Sequence, residues 1–141
     1  GKRLIGSVGL AIAGGTPSPY TRTTSFVIAC SDETTALTTG TKVTFRLPFD
    51  FTVTEVRASL TTAGTGANLV TLMFEQNGTD ILSTAITIDA TETTSTTAST
   101  PPVISTSALT DDASIDCDVD QIDSGGVSAG LKMYLIGYKT L

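Results

Sequence analysis

The sequence predicts an all-β fold: an antiparallel β-sandwich of about eight strands with jelly-roll-like connections. Thr accounts for 28 of the 141 residues, and β-branched side chains suit a pleated, half-buried surface. Short runs of alternating apolar and polar residues recur along the chain, separated by Gly, Pro, Asn and Asp. We find none of the 3.6-residue spacing that marks an amphipathic helix. We therefore expect one sandwich domain over residues 23–141, preceded by an extended N-terminal arm over residues 1–22.

The N-terminal arm combines glycines and small apolar residues with the segment Thr16-Pro17-Ser18-Pro19. A residue before proline is pushed toward extended backbone, so this segment favours an extended lead and not a helix. Apolar side chains would be wasted on a solvated tail. We expect them either to add a strand to the domain's own sheet or to dock on another subunit. The residues expected to bind a partner are Lys2, Arg3, Leu4, Ile5, Val8, Leu10 and Ile12.

The first two strands of the domain are predicted from clean alternation. Their apolar positions are Phe26, Ile28 and Cys30, then Val43, Phe45 and Leu47. Pro48 ends the second strand, because proline has no backbone N–H for the ladder.

The third predicted strand, residues 51–62, changes phase. Its apolar residues fall on one face up to Val53 and on the other face from Val56 onward. A β-bulge near Thr54–Glu55, or a later start of the strand, would absorb this change.

Residues 69–76 alternate but carry apolar side chains on both faces, which predicts a strand covered on both sides. Asn77-Gly78 then predicts a type I′ hairpin turn, because both residues accept positive φ. We expect the returning strand over residues 80–83. Ile86 and Ile88 then continue the apolar alternation, but out of phase with that strand. Residues 90–100 are low in complexity and predict a long surface connection with a short edge strand.

Two further strands are predicted near the C-terminal end. Ile115, Cys117 and Val119 alternate with three aspartates, and Leu131, Met133 and Leu135 alternate with Lys132, Tyr134 and Ile136. We interpret the Gly-rich segment between them as a hairpin loop. The extra apolar face formed by Met73, Tyr134 and Ile136 is the candidate subunit contact.

Composition excludes several classes of function. The chain has no His, and its net charge is −6. A nucleic-acid partner would require clustered Lys and Arg, and an anionic membrane surface is disfavoured for the same reason. The sequence also lacks the run of about 20 apolar residues that a membrane span needs. We expect no catalytic residue, no cofactor, no nucleic-acid partner and no membrane partner.

Two motifs resemble chemical sites but do not fit them. Gly126-Val127-Ser128-Ala129-Gly130 matches the nucleophile elbow of hydrolases, yet that chemistry needs a base, normally His, and a strand before the motif. Asp116-x-Asp118-x-Asp120 lacks the Gly and Glu of a calcium loop, and its outer residues are about 13 Å apart on a strand. We expect a solvated face and no metal site, although a cation held between subunits stays open as an alternative.

The two cysteines, Cys30 and Cys117, lie in alternating apolar runs. Buried free thiols are favoured, and a single disulfide is the alternative, since spacing along the sequence does not settle their separation.

The segment from Phe26 to Tyr138, about four-fifths of the chain, resembles a family of β-sandwich domains in virion proteins of tailed bacteriophages. The residues that carry the resemblance are Cys30–Leu37, Phe45–Pro48, Val56–Ala63, Ile81–Thr84, Ile88-Asp89, Glu92-x-Thr94-Ser95-x-Thr97-Ala98, Pro101-Pro102, Asp118-x-Asp120-Gln121-Ile122 and Gly130-Leu131-Lys132-x-x-Leu135-Ile136-Gly137. Residues 1–22 lie outside it. Such domains occur at fibre ends and in small separate virion proteins.

The resemblance implies a structural protein at the surface of a phage particle, with no catalytic residues and with a homotrimer as the expected assembly. We expect a capsid decoration protein whose arm binds the major capsid protein, another virion protein or a neighbouring copy. The short chain favours decoration over a fibre, which adds a shaft and an attachment domain. The alternative is the tip of a head fibre or tail fibre that binds a host glycan or protein, through Tyr134, Tyr138 and the Thr-rich loops.

Overall fold

The computed structural model describes residues 22–141. Within them, eleven strands are β1 (Thr23–Ala29), β2 (Gly40–Arg46), β3 (Phe51–Ser59), β4 (Val70–Gln76), β5 (Thr79–Asp80), β6 (Leu82–Thr84), β7 (Ile86–Ile88), β8 (Val103–Ile104), β9 (Ala108–Leu109), β10 (Ser114–Gln121) and β11 (Lys132–Lys139). One 3₁₀ turn covers Ser95–Thr97. Residues 22–141 contain no helix with the length and apolarity that a membrane span requires.

The strands form two main antiparallel sheets that pack as a sandwich. Sheet A has the order β1-β11-β3-β9, and sheet B has the order β2-β10-β4, with β5 and β7 both pairing with β4. A small third sheet pairs β6 with β8. The chain alternates between the two main sheets over β1, β2, β3 and β4 and again over β7, β9, β10 and β11. These eight strands therefore make a jelly roll, with four strands in each main sheet, which confirms the predicted fold class.

The predicted change of phase in β3 is a β-bulge. Ile136 of β11 lies opposite Glu55, and Gly137 lies opposite Val53, so Thr54 is the extra residue. Thr54 and Glu55 are both exposed, whereas Val53 and Val56 are both buried. The bulge lets β3 keep its apolar residues in the core on either side of it.

The hairpin after β4 is confirmed, but the strand that returns from it is shorter than predicted. Asn77 and Gly78 have φ of 51° and 84°, as a type I′ turn requires. β5 covers only Thr79–Asp80, because the chain then leaves sheet B to pair β6 with β8. It rejoins sheet B as β7 on the other part of β4, opposite Val70–Leu72.

Two other connections differ from the predictions. Residues 90–100 contain no strand: Ser59 and Thr94 form an isolated bridge, and Ser95 is buried with its Oγ accepting a 2.9 Å bond from the Ala58 N–H. The Gly-rich segment before β11 is not a hairpin loop. It joins β10 in sheet B to β11 in sheet A, so it crosses from one sheet to the other.

The core lies between the inner faces of the two sheets. Its fully buried side chains come from both, for example Met133 and Leu135 of sheet A and Leu72, Phe74 and Ile115 of sheet B. Phe26 contacts Phe45 of the opposite sheet, with ring centroids 6.1 Å apart, and Phe51 at 5.1 Å in an edge-to-face arrangement. The two layers are therefore joined by aromatic packing at the β1 and β2 side.

Candidate docking surface

The outer face of sheet A carries a stripe of large side chains, which we name the tyrosine face: Val27, Tyr134, Ile136 and Tyr138. On β11 the alternate residues Met133, Leu135 and Gly137 are buried, so Tyr134, Ile136 and Tyr138 point outward and are half-buried. Val27 lies directly opposite Tyr134 and is 59% exposed. A partly exposed strip of aromatic and aliphatic side chains on a rigid sheet is typical of a docking surface.

Charges beside the tyrosine face are paired with one another. Arg57, opposite Tyr134 on β3, forms an ion pair with Glu55, which raises the pKa of Arg57. Lys132, at one end of the stripe, forms an ion pair with Glu33. The Tyr134 hydroxyl shares a 2.9 Å hydrogen bond with Ser59 Oγ. This face is thus close to neutral, and a partner that covers it leaves few unpaired charges behind.

A groove of about 530 Å³ lies beside β3, next to the tyrosine face. One wall is β3 from Thr54 to Arg57, and the other wall comes from the Ser95–Thr97 turn and the Pro101–Ile104 segment. Val103 on the far wall is 50% exposed. The groove combines a paired Arg and Glu with threonine hydroxyls and apolar walls, and its volume falls in the range of small-molecule sites.

The outer face of sheet B is acidic. Glu75, Asp116 and Asp118 each place one carboxylate oxygen within 4.8 Å of the others. Asp116 and Asp118 accept hydrogen bonds of 2.7 and 2.6 Å from Thr44 and Thr41. Burial of the Glu75 carboxyl, with Asp118 and Asp80 close by, raises its pKa to about 7. Glu75 comes from β4, so neighbouring strands bring together carboxylates that a single strand would hold apart.

Replacing Glu75 by Gln is expected to stabilise the protein at alkaline pH. The folded-state pKa of Glu75 is above its ordinary value of 4.5. The contribution of the protonated Glu75 carboxyl to the free energy of unfolding is therefore complete below about pH 4.5 and is lost as pH rises through about 7. We expect Glu75→Gln to exceed wild type in unfolding free energy by about 1 kcal/mol at pH 8, allowing for solvent screening. The two should be equal near pH 4.5. Urea unfolding at both pH values tests this, and a constant difference would contradict it.

The structure does not bring the three candidate subunit-contact residues together. Tyr134 and Ile136 lie on the outer face of sheet A, whereas Met73 lies on β4 of sheet B and is only 7% exposed. The prediction that Met73, Tyr134 and Ile136 share one face is wrong. Alternation along a strand shows which side chains point outward, but it does not show which sheet the strand joins. Met73 is buried on the outer face of β4, whereas Thr71 and Glu75 on the same face are half-buried, so that face of the strand is covered only in part.

The residues of the hydrolase-like motif donate hydrogen bonds to the Asp123 carboxylate. Ser128 is 1% exposed, and its Oγ donates a 2.5 Å hydrogen bond to Asp123 Oδ1. Asp123 also accepts backbone N–H bonds from Thr65, Val127 and Ser128 at 3.0, 3.1 and 3.3 Å. A Cβ on Gly64 would lie 2.6 Å from Asp123 Cβ, so glycine is required there. The Ser128 hydroxyl thus donates to a buried carboxylate, and that carboxylate links the loop at Thr65 to the loop at Val127–Ser128.

Cys30 and Cys117 are free and buried, as favoured from the sequence. A hydrogen bond between the two thiols, together with burial, raises the pKa of Cys117. Cys117 belongs to sheet B, and Cys30 follows β1 of sheet A. The two thiols therefore meet in the core between the layers, and the same hydrogen bond lowers the pKa of Cys30.

The residues expected to bind a partner through the arm, Lys2 to Ile12, lie outside the described residues. The structure shows where the arm joins the domain. Thr23 is the first residue of β1 and pairs with Tyr138. The arm therefore starts beside the tyrosine face.

Comparisons with known proteins do not assign this surface. A scan against protein-family models gave no match, and searches of curated proteins and of solved structures gave no significant match.

Proposed function

We propose that this protein is a non-enzymatic structural protein of a tailed-phage virion and that it decorates the capsid surface. In this proposal the arm binds the major capsid protein or another virion protein, and the copies associate as a homotrimer. The observation that carries the proposal is the jelly roll itself. The segments Phe45–Pro48, Val56–Ala63 and Gly130–Gly137, which carry the resemblance to virion domains, build β2, β3 and β11 and the turns beside them.

The distribution of surface chemistry supports a defined orientation on the shell. The arm leaves from β1 beside the tyrosine face, so a shell contact made by the arm is compatible with the tyrosine face lying toward the shell. Interface cores are enriched in aromatic residues and depleted in unpaired charge, as this face is. The acidic face of sheet B then points to solvent, where carboxylates favour solubility.

Repetition on a lattice makes weak contacts sufficient. Apolar burial contributes about 25 cal/mol per Å², and each copy held by both an arm and a face gains from the high effective concentration of the second contact. A modest arm contact in an oligomer thus gives durable attachment.

The proposal is tested by the number of copies per particle and by shell binding. We expect gel quantitation of purified virions to give far more copies than a fibre protein would have. Purified protein should bind empty shells, and deleting residues 1–15 should weaken binding at least tenfold. The deletion leaves residues 22–141 intact, so its folding can be checked by circular dichroism. Unchanged shell binding by the deletion variant would refute attachment through the arm.

A second function, the tip of a head fibre or tail fibre, is favoured by one observation: the groove next to the tyrosine face. The half-buried tyrosine rings lie on β11, the strand next to the β3 wall of the groove, and such rings suit contact with a sugar. In this case free protein should attach to host cells, and Tyr134→Ala should weaken attachment about tenfold, while Thr44→Ala on the opposite face should not. Binding to shells but not to cells would contradict this function.

A further inference from the structure

Three of the four ends of the two sheets carry features that prevent pairing with another chain. Sheet A ends at one side with β9, which has two residues. Sheet B ends at one side with β5 and β7, of two and three residues. Its other end, β2, carries Lys42 and Arg46, and a bulge at Lys42 where Val43 and Thr41 pair with Cys117 and Asp118. Short strands, charges and bulges are the usual means of blocking edge pairing.

The fourth end, β1, has none of these features. Thr23–Ala29 runs for seven residues with no charged residue and no proline. Within residues 22–141 it pairs only with β11. The Cys30 N–H donates to the Leu131 carbonyl, which continues the β1–β11 ladder. Alternation along the strand then directs the backbone N–H groups of Ser25, Val27 and Ala29 away from β11, toward the open edge.

The core beneath this edge is also incompletely covered. Phe26 and Ile28 of β1 and Val43 and Phe45 of β2 point into the sandwich, yet all four are half-buried. We name these four residues the seam. Elsewhere the inward-facing residues of the long strands β4 and β11, such as Phe74 and Leu135, are fully buried. β1 and β2 are the end strands of their sheets, so the jelly roll is open on this side.

The sequence contains one alternating apolar segment outside the described fold. In residues 8–13, Val8, Leu10 and Ile12 alternate with Gly9, Ala11 and Ala13. As a strand, this segment would have one bulky apolar face and one face of small residues. A strand added to the β1 edge with its bulky face inward would place aliphatic side chains over the seam.

The connection to β1 favours donation to another copy. Residues 14–22 separate this segment from Thr23, and a strand laid back on its own β1 requires the chain to reverse within them. Pro17 and Pro19 predict extended backbone over residues 16–19, which favours a path away from its own edge over a tight reversal. Nine residues extend up to about 30 Å, enough to reach a neighbour.

We propose that residues 8–13 of one copy add as an extra strand to the β1 edge of a second copy, with Val8, Leu10 and Ile12 covering the seam. The giving and receiving surfaces differ, so the contact is head-to-tail, and it closes into a ring when the rotation between successive copies returns to the first copy. This inference does not depend on the virion assignment, since a purified chain alone forms the contact. It commits Val8, Leu10 and Ile12 to a neighbouring copy and leaves Lys2, Arg3, Leu4 and Ile5 of the arm for a shell contact.

The test compares the masses of full-length variants by light scattering after gel filtration. Wild type should elute as a closed oligomer of the 14.5 kDa chain. Leu10→Asp should reduce the mass to that of a monomer, because the carboxylate would face the seam. The matched control, Ala11→Asp, places the same charge on the outward face and should keep the oligomer. Equal masses for wild type and Leu10→Asp, or dissociation of both variants alike, would overturn the proposal.

A variant on the receiving strand tests the same contact from the other side. Val27→Pro removes one N–H that points to the open edge and leaves the β1–β11 ladder intact. It should give a monomer with an unchanged β-sheet spectrum, whereas Val27→Thr should keep the oligomer. A monomeric wild type whose unfolding midpoint falls with Leu10→Asp would place the segment on its own β1 edge, which refutes exchange between copies.

Discussion

Replacing Gly137 by Ala is expected to destabilise the protein by about 4 kcal/mol. A Cβ at this position would lie 1.9 Å from the Thr52 carbonyl oxygen and 2.9 Å from its carbon. These atoms are backbone, so no change of rotamer relieves the collision. Gly137 sits beside the bulge of β3, where the two chains approach closely. We expect the urea midpoint to fall steeply and the m-value to be unchanged.

Gly78→Ala is the matched control for this prediction. A Cβ on Gly78 meets no atom within 4 Å, but φ is +84°. Only the backbone conformation opposes this substitution, so we expect a cost of about 1 kcal/mol. Equal costs for the two substitutions would show that the collision with Thr52 is relieved by movement of β3.

Replacing Asp123 by Ala is expected to cost about 3 kcal/mol. The carboxylate is 3% exposed and accepts four hydrogen bonds, three from backbone N–H groups and one from Ser128 Oγ. Its removal leaves those donors buried without an acceptor. The loops at Thr65 and at Val127–Ser128 should then exchange amide hydrogens faster, which hydrogen-exchange mass spectrometry measures. Asp111→Ala, on an exposed turn, should cost less than about 0.5 kcal/mol.

The same carboxylate has a characteristic pH dependence. Despite the opposing effect of burial, the bonds from Ser128, Thr65 and Val127 lower the pKa of Asp123 to about 2. Its contribution to stability is therefore complete above about pH 4 and is lost as pH falls through about 2. Asp123→Asn should be less stable than wild type at pH 6, and the difference should shrink toward pH 2. A difference that is constant with pH would show that the charge of Asp123 plays no part.

Much of the fold was predictable because local rules decide it. Alternation located β1, β2, β4, β10 and β11, and the change of phase at Val53 located the bulge. Asn77-Gly78 predicted its turn because few other residue pairs accept positive φ twice. Each of these features depends on residues that are neighbours along the chain.

Strand partners and outer-face clusters depend on register between distant segments, which the sequence does not display. Met73 was therefore placed beside Tyr134 and Ile136, although the two groups lie on different sheets. Glu75 was missed because its acidic neighbours are on β10. Residues 90–100 look solvated by composition, and the structure shows that the segment packs against β3 through the Ser59–Thr94 bridge and the bond from the Ala58 N–H to Ser95.

The position of β11 has a consequence for synthesis of the chain. Lys132–Lys139 form a central strand of sheet A and separate β1 from β3, which are made more than seventy residues earlier. Until Lys132–Lys139 leave the ribosome, β1 lacks its partner β11 and β3 can pair only with the two-residue strand β9, so both expose unpaired backbone. Folding of sheet A is thus completed only after β11 has been made, and nascent chains that lack β11 are exposed to premature association.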